Sequence, residues 1–300
     1  MIVLPTRLQR AGLLMLPLVL AACAPALPPA RGPLPVVTTA VPVTLFTRAV
    51  AGACAVVTPL IPPNLGPHDV QARPAAVAAL GQARVLVTNG LGLEGYLGRL
   101  MASAEYPRLI VIDTSRGVTT LASADRGSVN PHIWLDPLRA VQQVETIRDG
   151  LVRADPRCSK GYRQRAEAYI SELRSLHGDI ARQLRPHAGR TFVALHDVAP
   201  YFAERYNLRS VFLVESPEIN PSPADLQRVT TAVKAARLQA LLGEPQEGNR
   251  SFQALAGDLG VRISTFDPME TTSEEASRDP ATYGRVMRRN VSNLLQALGG

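Results

Sequence analysis

The chain has 300 residues, enough for one large or two ordinary domains, and at 46% hydrophobic and 19% charged it can bury a core and is not disordered. Its formal charge of +7 invites a nucleic-acid reading. Nearly all of that charge is arginine, with Lys160 and Lys234 the only lysines, and the arginines are scattered rather than massed among aromatics, which argues against a nucleic-acid surface.

The first segment reads as an export signal. Arg7 and Arg10 form a basic start, and Ala11–Leu20 is a short apolar run broken by Gly12 and Pro17, too short to span a bilayer comfortably. It ends in Leu20-Ala21-Ala22-Cys23, which resembles the lipobox of bacterial lipoproteins. On that resemblance residues 1–22 are removed and Cys23 is acylated; the alternative is an ordinary signal peptide with Cys23 incidental. Residues 23–35 then form a Pro-rich tether, since Ala24–Pro35 has neither helical nor strand period and such chains extend by roughly 3.1 Å per residue. Export to an oxidising compartment permits a disulfide between Cys54 and Cys158, with a buried free thiol as the alternative.

From Val36 onward strand-like and helix-like pieces alternate. Strands are predicted at Val36–Thr39, Ala55–Leu60, Arg84–Thr88 and Leu109–Asp113, with helices at Leu45–Ala51, Pro74–Gly81 and Leu93–Met101. This is the pattern of a parallel sheet covered by helices. A long helix is predicted over Cys158–Leu184, where Tyr162, Ala166, Tyr169, Leu173, Leu176, Ile180 and Leu184 recur at spacings of three and four. The alternation resumes with strands at Thr191–Leu195, Ser210–Val214, Leu238–Leu242 and Val261–Phe266, and helices at Tyr201–Tyr206, Pro223–Ala236, Asn249–Leu259 and Ala281–Ala297. The expected architecture is two parallel-sheet α/β lobes, 36–155 and 188–300, joined by one long rigid helix, 156–187, with a cleft between the lobes.

Asn130–Pro137 (NPHIWLDP) holds the only Trp and one of five His. Asp136-Pro137 is a helix start, Asp capping and Pro at the first helical position. His132 is therefore either part of a loop that plugs the core with Ile133, Trp134 and Leu135, or an imidazole held in place for chemistry. Its companions favour the second reading. His68 lies in the loop after the second strand and His132 in the loop after the fourth; His196 and Asp267 each directly follow a strand. Open α/β sheets bind ligands at the carboxyl ends of their strands. Three imidazoles and one carboxylate suit a tetrahedral Zn²⁺ shell, and four protein donors leave no position for a catalytic water. Each residue also has a plainer role: His68 as a polar loop residue, His196-Asp197 as a helix start, Asp267-Pro268 as an Asx turn. His177 and His187 follow no strand and are read as solvated.

The motifs Pro67-His68-Asp69, Asn89–Glu94, Asn130–Pro137, His196-Asp197 with Tyr201-Phe202, Glu218–Ser222, Gly243–Gln246 and Asp267-Pro268 together resemble the metal-binding solute-binding lipoproteins of ABC importers (cluster A-I). The likeness runs from about Val36 to the C-terminus. It implies a monomeric receptor that captures a divalent metal at His68, His132, His196 and Asp267 and hands it to a membrane permease. The receptor would be lipid-anchored and face the periplasm or the extracellular side. In that family the third ligand is His in many zinc receptors and Glu in many manganese receptors, so His196 points to Zn²⁺, as does imidazole chemistry. A manganese or iron receptor, a metal-binding surface adhesin, and a secreted zinc hydrolase with Asp197 or Glu244 as base are the alternatives. Two departures from the family pattern stand out: Ser115–Val129 contains no His, and Val70 and Gln71 replace the usual aromatic and acidic residues after His68.

Overall fold

The computed structural model describes residues 32–68, 74–102, 106–123, 127–245 and 250–299. The signal segment, Cys23, Val70 and Gln71 lie outside the described residues. In the first lobe β1 (Leu34–Thr38), α1 (Val41–Ala51), β2 (Ala55–Pro59), α2 (Pro74–Gln82), β3 (Val85–Thr88), α3 (Leu97–Ala102) and β4 (Ile110–Asp113) alternate, followed by α4 (Pro137–Ala154). The long helix α5 (Ser159–Leu184) leads to the second lobe. There β5 (Thr191–His196), α6 (Pro200–Arg205), β6 (Arg209–Val214), α7 (Pro223–Ala236), β7 (Ala240–Gly243), α8 (Arg250–Asp258) and β8 (Arg262–Thr265) alternate, closed by α9 (Glu274–Arg278) and α10 (Thr282–Ala297).

Each lobe holds a four-stranded parallel sheet, ordered β2-β1-β3-β4 in the first and β6-β5-β7-β8 in the second. The architecture is the two-lobed parallel α/β arrangement that the alternation predicts. In both sheets the chain leaves the first strand in one direction and later returns on its other side. The crevices at the carboxyl ends therefore lie between β1 and β3 and between β5 and β7, where such sheets take ligands.

α5 has 26 residues, a span of about 39 Å at 1.5 Å per residue. It buries the predicted stripe together with Ile170 and packs against α4, α1 and α10. A disulfide between Cys54 and Cys158, Cα atoms 6.2 Å apart, ties its foot to the start of β2. The lobes share an interior, although the first lobe also has a cluster of its own around Leu80 and Leu86. One apolar cluster runs from β1 and α1 through α4 and α5 into β5, β7 and α10. At its centre the Phe46 ring sits 6.2 Å from Tyr169 and 5.0 Å from Tyr283. Among the described residues no helix is long and apolar enough to cross a membrane.

Several boundaries differ from expectation for identifiable reasons. α1 starts at Val41, earlier than Leu45, because it is buried on nearly every side and so carries no amphipathic period; Pro42 sits in its first turn. α3 starts at Leu97, later than Leu93, because Gly90, Leu91 and Gly92 all have positive φ and form a turn. α9 is a single short helix capped by Ser273, too brief for a period to reveal. His177 is not simply solvated: it is half-buried, stacked on Tyr206 with ring centroids 5.7 Å apart.

Candidate metal centre

Four side chains converge in the interlobe cleft. His68, His132, His196 and Glu270 each bring one donor atom, and these atoms all lie within 4.8 Å of one another. Glu270 Oε1 stands at the middle, 2.6 Å from His68 Nε2, 3.0 Å from His132 Nε2 and 3.7 Å from His196 Nε2. The Nε2 atoms of His132 and His196 are 3.4 Å apart. Glu270, His132 and His196 are buried, and only His68 keeps appreciable exposure, 19% of its side chain.

Each donor is placed by its local chain. His68 ends the Pro-rich loop after β2, which is fastened to the Glu270 loop where Thr272 N–H donates to Pro63 O at 2.7 Å. His132 is held by Asn130, whose Oδ1 accepts from both the His132 backbone N–H (3.1 Å) and the ring Nδ1 (2.9 Å). That leaves Nε2 as the nitrogen turned toward the cluster. Asn130 is held in turn, donating to Asp197 O at 2.6 Å while its carbonyl accepts from Tyr201 Oη at 2.7 Å. Ile133, Trp134 and Leu135 plug the core beneath, and Trp134 Nε1 donates to Pro268 O at 2.7 Å. Asp136 caps α4 through Leu138 N–H and pairs with Arg139 and Arg205, away from the cluster. His196 is the last residue of β5, not the first after it, paired in register with Val214. Its Nδ1 donates to the buried carboxylate of Glu244.

Asp267 is not among the four; Glu270 supplies the carboxylate that was expected from Asp267. The Asp267 carboxylate turns back on its own chain, Oδ1 accepting from Met269 N–H at 2.8 Å in the Asx-type turn that was its plainer reading. Asn290 clamps its backbone from both sides, at 2.8 Å each. Met269 then takes a positive φ of 59°, which swings the chain so that Glu270 points inward. The available signal was a second carboxylate three residues beyond the first, in a segment read only as a turn. Asn130 and Glu244 were likewise not assigned as the groups that orient the imidazoles.

The electrostatics follow from burial and from Glu270. Burial drives His132 down to about 4, since the low-dielectric site disfavours its cation more than Glu270 supports it. At His196 burial also pulls down, but Glu244 and Glu270 outweigh it and raise the ring to about 10. His68 is raised too: burial opposes, and the hydrogen bond and charge of Glu270 prevail. Burial alone would raise the carboxyl of Glu270, but His196, His132 and His68 hold it well below the usual carboxylate range. Burial raises Asp267. Glu270 is thus a buried carboxylate shared among three imidazoles.

Fold and site define a class: a two-lobed solute-binding protein with a metal-donor group in its cleft. A family model described as ZnuA, zinc-uptake complex component A periplasmic, matches residues 36–297, and the chain belongs to this family. It is 30% identical over 281 residues to the zinc-binding lipoprotein AdcA of Streptococcus pneumoniae, covering 89% of this chain and 56% of AdcA, so it spans little more than half of that relative. It is also 30% identical over 252 residues to the manganese-binding lipoprotein MntA of Halalkalibacterium halodurans, covering 83% of each. Among solved structures, the Zn(II)-bound ZnuA-like domain of S. pneumoniae AdcA superposes with a TM-score of 0.77 at 30% identity, covering 90% of this chain and all of that domain.

Proposed function

We propose that this protein is an extracytoplasmic zinc receptor that captures Zn²⁺ in the interlobe cleft and delivers it to an ABC-importer permease. The observation that carries the reading is the donor set: three imidazoles and one carboxylate, gathered from both lobes within 4.8 Å. Three nitrogen donors suit Zn²⁺ better than Mn²⁺, which prefers more oxygen. A tetrahedral shell filled by four protein side chains leaves no position for an activated water, which supports binding over hydrolysis. The ion is cargo, and the ligands are His68, His132, His196 and Glu270. The N-terminal reading completes the proposal: export, acylation at Cys23 and a Pro-rich tether would keep the body at the membrane beside its permease.

A competition titration tests this reading. The protein is stripped of metal and offered Zn²⁺ and Mn²⁺ together, and the bound metal is counted. Zinc loading at one ion per chain, abolished by His132→Ala, is expected. Preferential manganese loading would overturn the metal assignment, and unchanged zinc affinity in His132→Ala would overturn the site.

A further inference from the structure

Glu244 is a buried carboxylate that the ligand set does not use. It follows β7 directly, at the crevice where Leu242 of β7 pairs with Ala194 of β5, two residues before His196. Only 2% of its side chain is exposed. Its Oε1 accepts from His196 Nδ1, which leaves Nε2 as the nitrogen that faces the cluster. The contrast is His132, whose Nδ1 faces the neutral amide oxygen of Asn130 at 2.9 Å. Two imidazoles of one group are thus backed by different chemistry, one by an amide and one by a carboxylate. An imidazole whose N–H is given to a carboxylate is the more basic donor at its other nitrogen.

We propose that Glu244 is a positioning residue that sets the metal preference of the site, making His196 its strongest nitrogen donor. The proposal rests on the reading of the four-residue group as a metal site. Stronger nitrogen donation favours zinc over manganese, because affinity at nitrogen sites rises along the first-row series from Mn²⁺ toward Cu²⁺ and Zn²⁺. A residue that merely filled space would affect both metals alike.

Glu244→Gln keeps the shape and a hydrogen-bond acceptor while removing the charge. Zn²⁺ and Mn²⁺ affinities are measured separately on the stripped protein by chelator competition, with metal-free thermal melting as the check on folding. Zinc Kd is expected to rise by about 10–100-fold. Manganese Kd is expected to move far less, so the zinc-over-manganese ratio falls by about tenfold. Glu244→Asp, which keeps the charge, is expected to restore most of that ratio, and it serves as the test if Glu244→Gln does not fold. Equal losses for both metals, no loss for zinc, or failure of Glu244→Asp to recover the preference would overturn the proposal. His132→Ala is measured alongside: unchanged zinc affinity there would refute the metal site itself, a result separable from any outcome at Glu244.

Discussion

Two carboxylates three residues apart compete for one role, and substituting each in turn decides between them. Glu270 has 1% of its side chain exposed and lies within 3.0 Å of two imidazole nitrogens. Removing one partner from a buried charge pair costs about 3–5 kcal/mol. Taken as lost zinc binding in Glu270→Gln, at 1.4 kcal/mol per decade, this is about two to three and a half decades in Kd. Asp267→Asn should behave differently. Its one described side-chain bond is accepted from Met269 N–H at 2.8 Å, and an asparagine Oδ1 accepts the same bond. Its effect on zinc Kd should stay within about 0.5 kcal/mol, or about twofold. Isothermal titration of both variants against wild type, by displacement of a chelator, reads the difference. A loss in Asp267→Asn as large as in Glu270→Gln would refute the assignment and restore Asp267 as the fourth ligand.

Zinc affinity should rise about tenfold per pH unit between pH 6 and 8, because His196, raised to about 10, must give up a proton to bind metal; a flat profile would contradict the charge arrangement. The metal-free protein should be most stable near neutral pH. The His196 contribution is complete below its unfolded value of about 6.5 and is lost as pH rises through about 10, whereas His132 imposes a penalty as pH falls from 6.5 to about 4; thermal melting across pH checks both limbs. Replacing Cys54 and Cys158 together by Ser removes a cross-link closing 104 residues and should lower unfolding free energy by about 2–5 kcal/mol in urea. Zinc affinity should be unchanged, since the bridge lies at the amino end of β2 and the donors lie at the carboxyl ends; unchanged stability would refute this.

The fold was legible because strand-to-helix alternation and the long apolar stripe of α5 are strong periodic signals. His68, His132 and His196 were legible as a set because polar, metal-competent residues at the ends of hydrophobic strands have little other reason to recur in both lobes. Glu270 was hidden for a local reason. Which of two carboxylates in Asp267–Glu270 faces the cleft is decided by an Asx turn, a positive φ at Met269 and the clamp of Asn290, none of which has a pattern in the chain. The roles of Asn130 and Glu244 were hidden because they depend on contacts across 2 and 48 positions made only after folding. The shared core was equally invisible: Phe46, Tyr169 and Tyr283 are ordinary core aromatics until α1, α5 and α10 bring them together.

The most direct test is anomalous diffraction from crystals of the stripped protein reloaded with Zn²⁺, measured above and below the zinc edge. One peak per chain is expected, about 2.0–2.2 Å from the Nε2 atoms of His68, His132 and His196 and from a carboxylate oxygen of Glu270. Asp267 should remain on Met269 N–H. A peak ligated by Asp267 in place of Glu270, or lying outside the cleft, would contradict the proposed site.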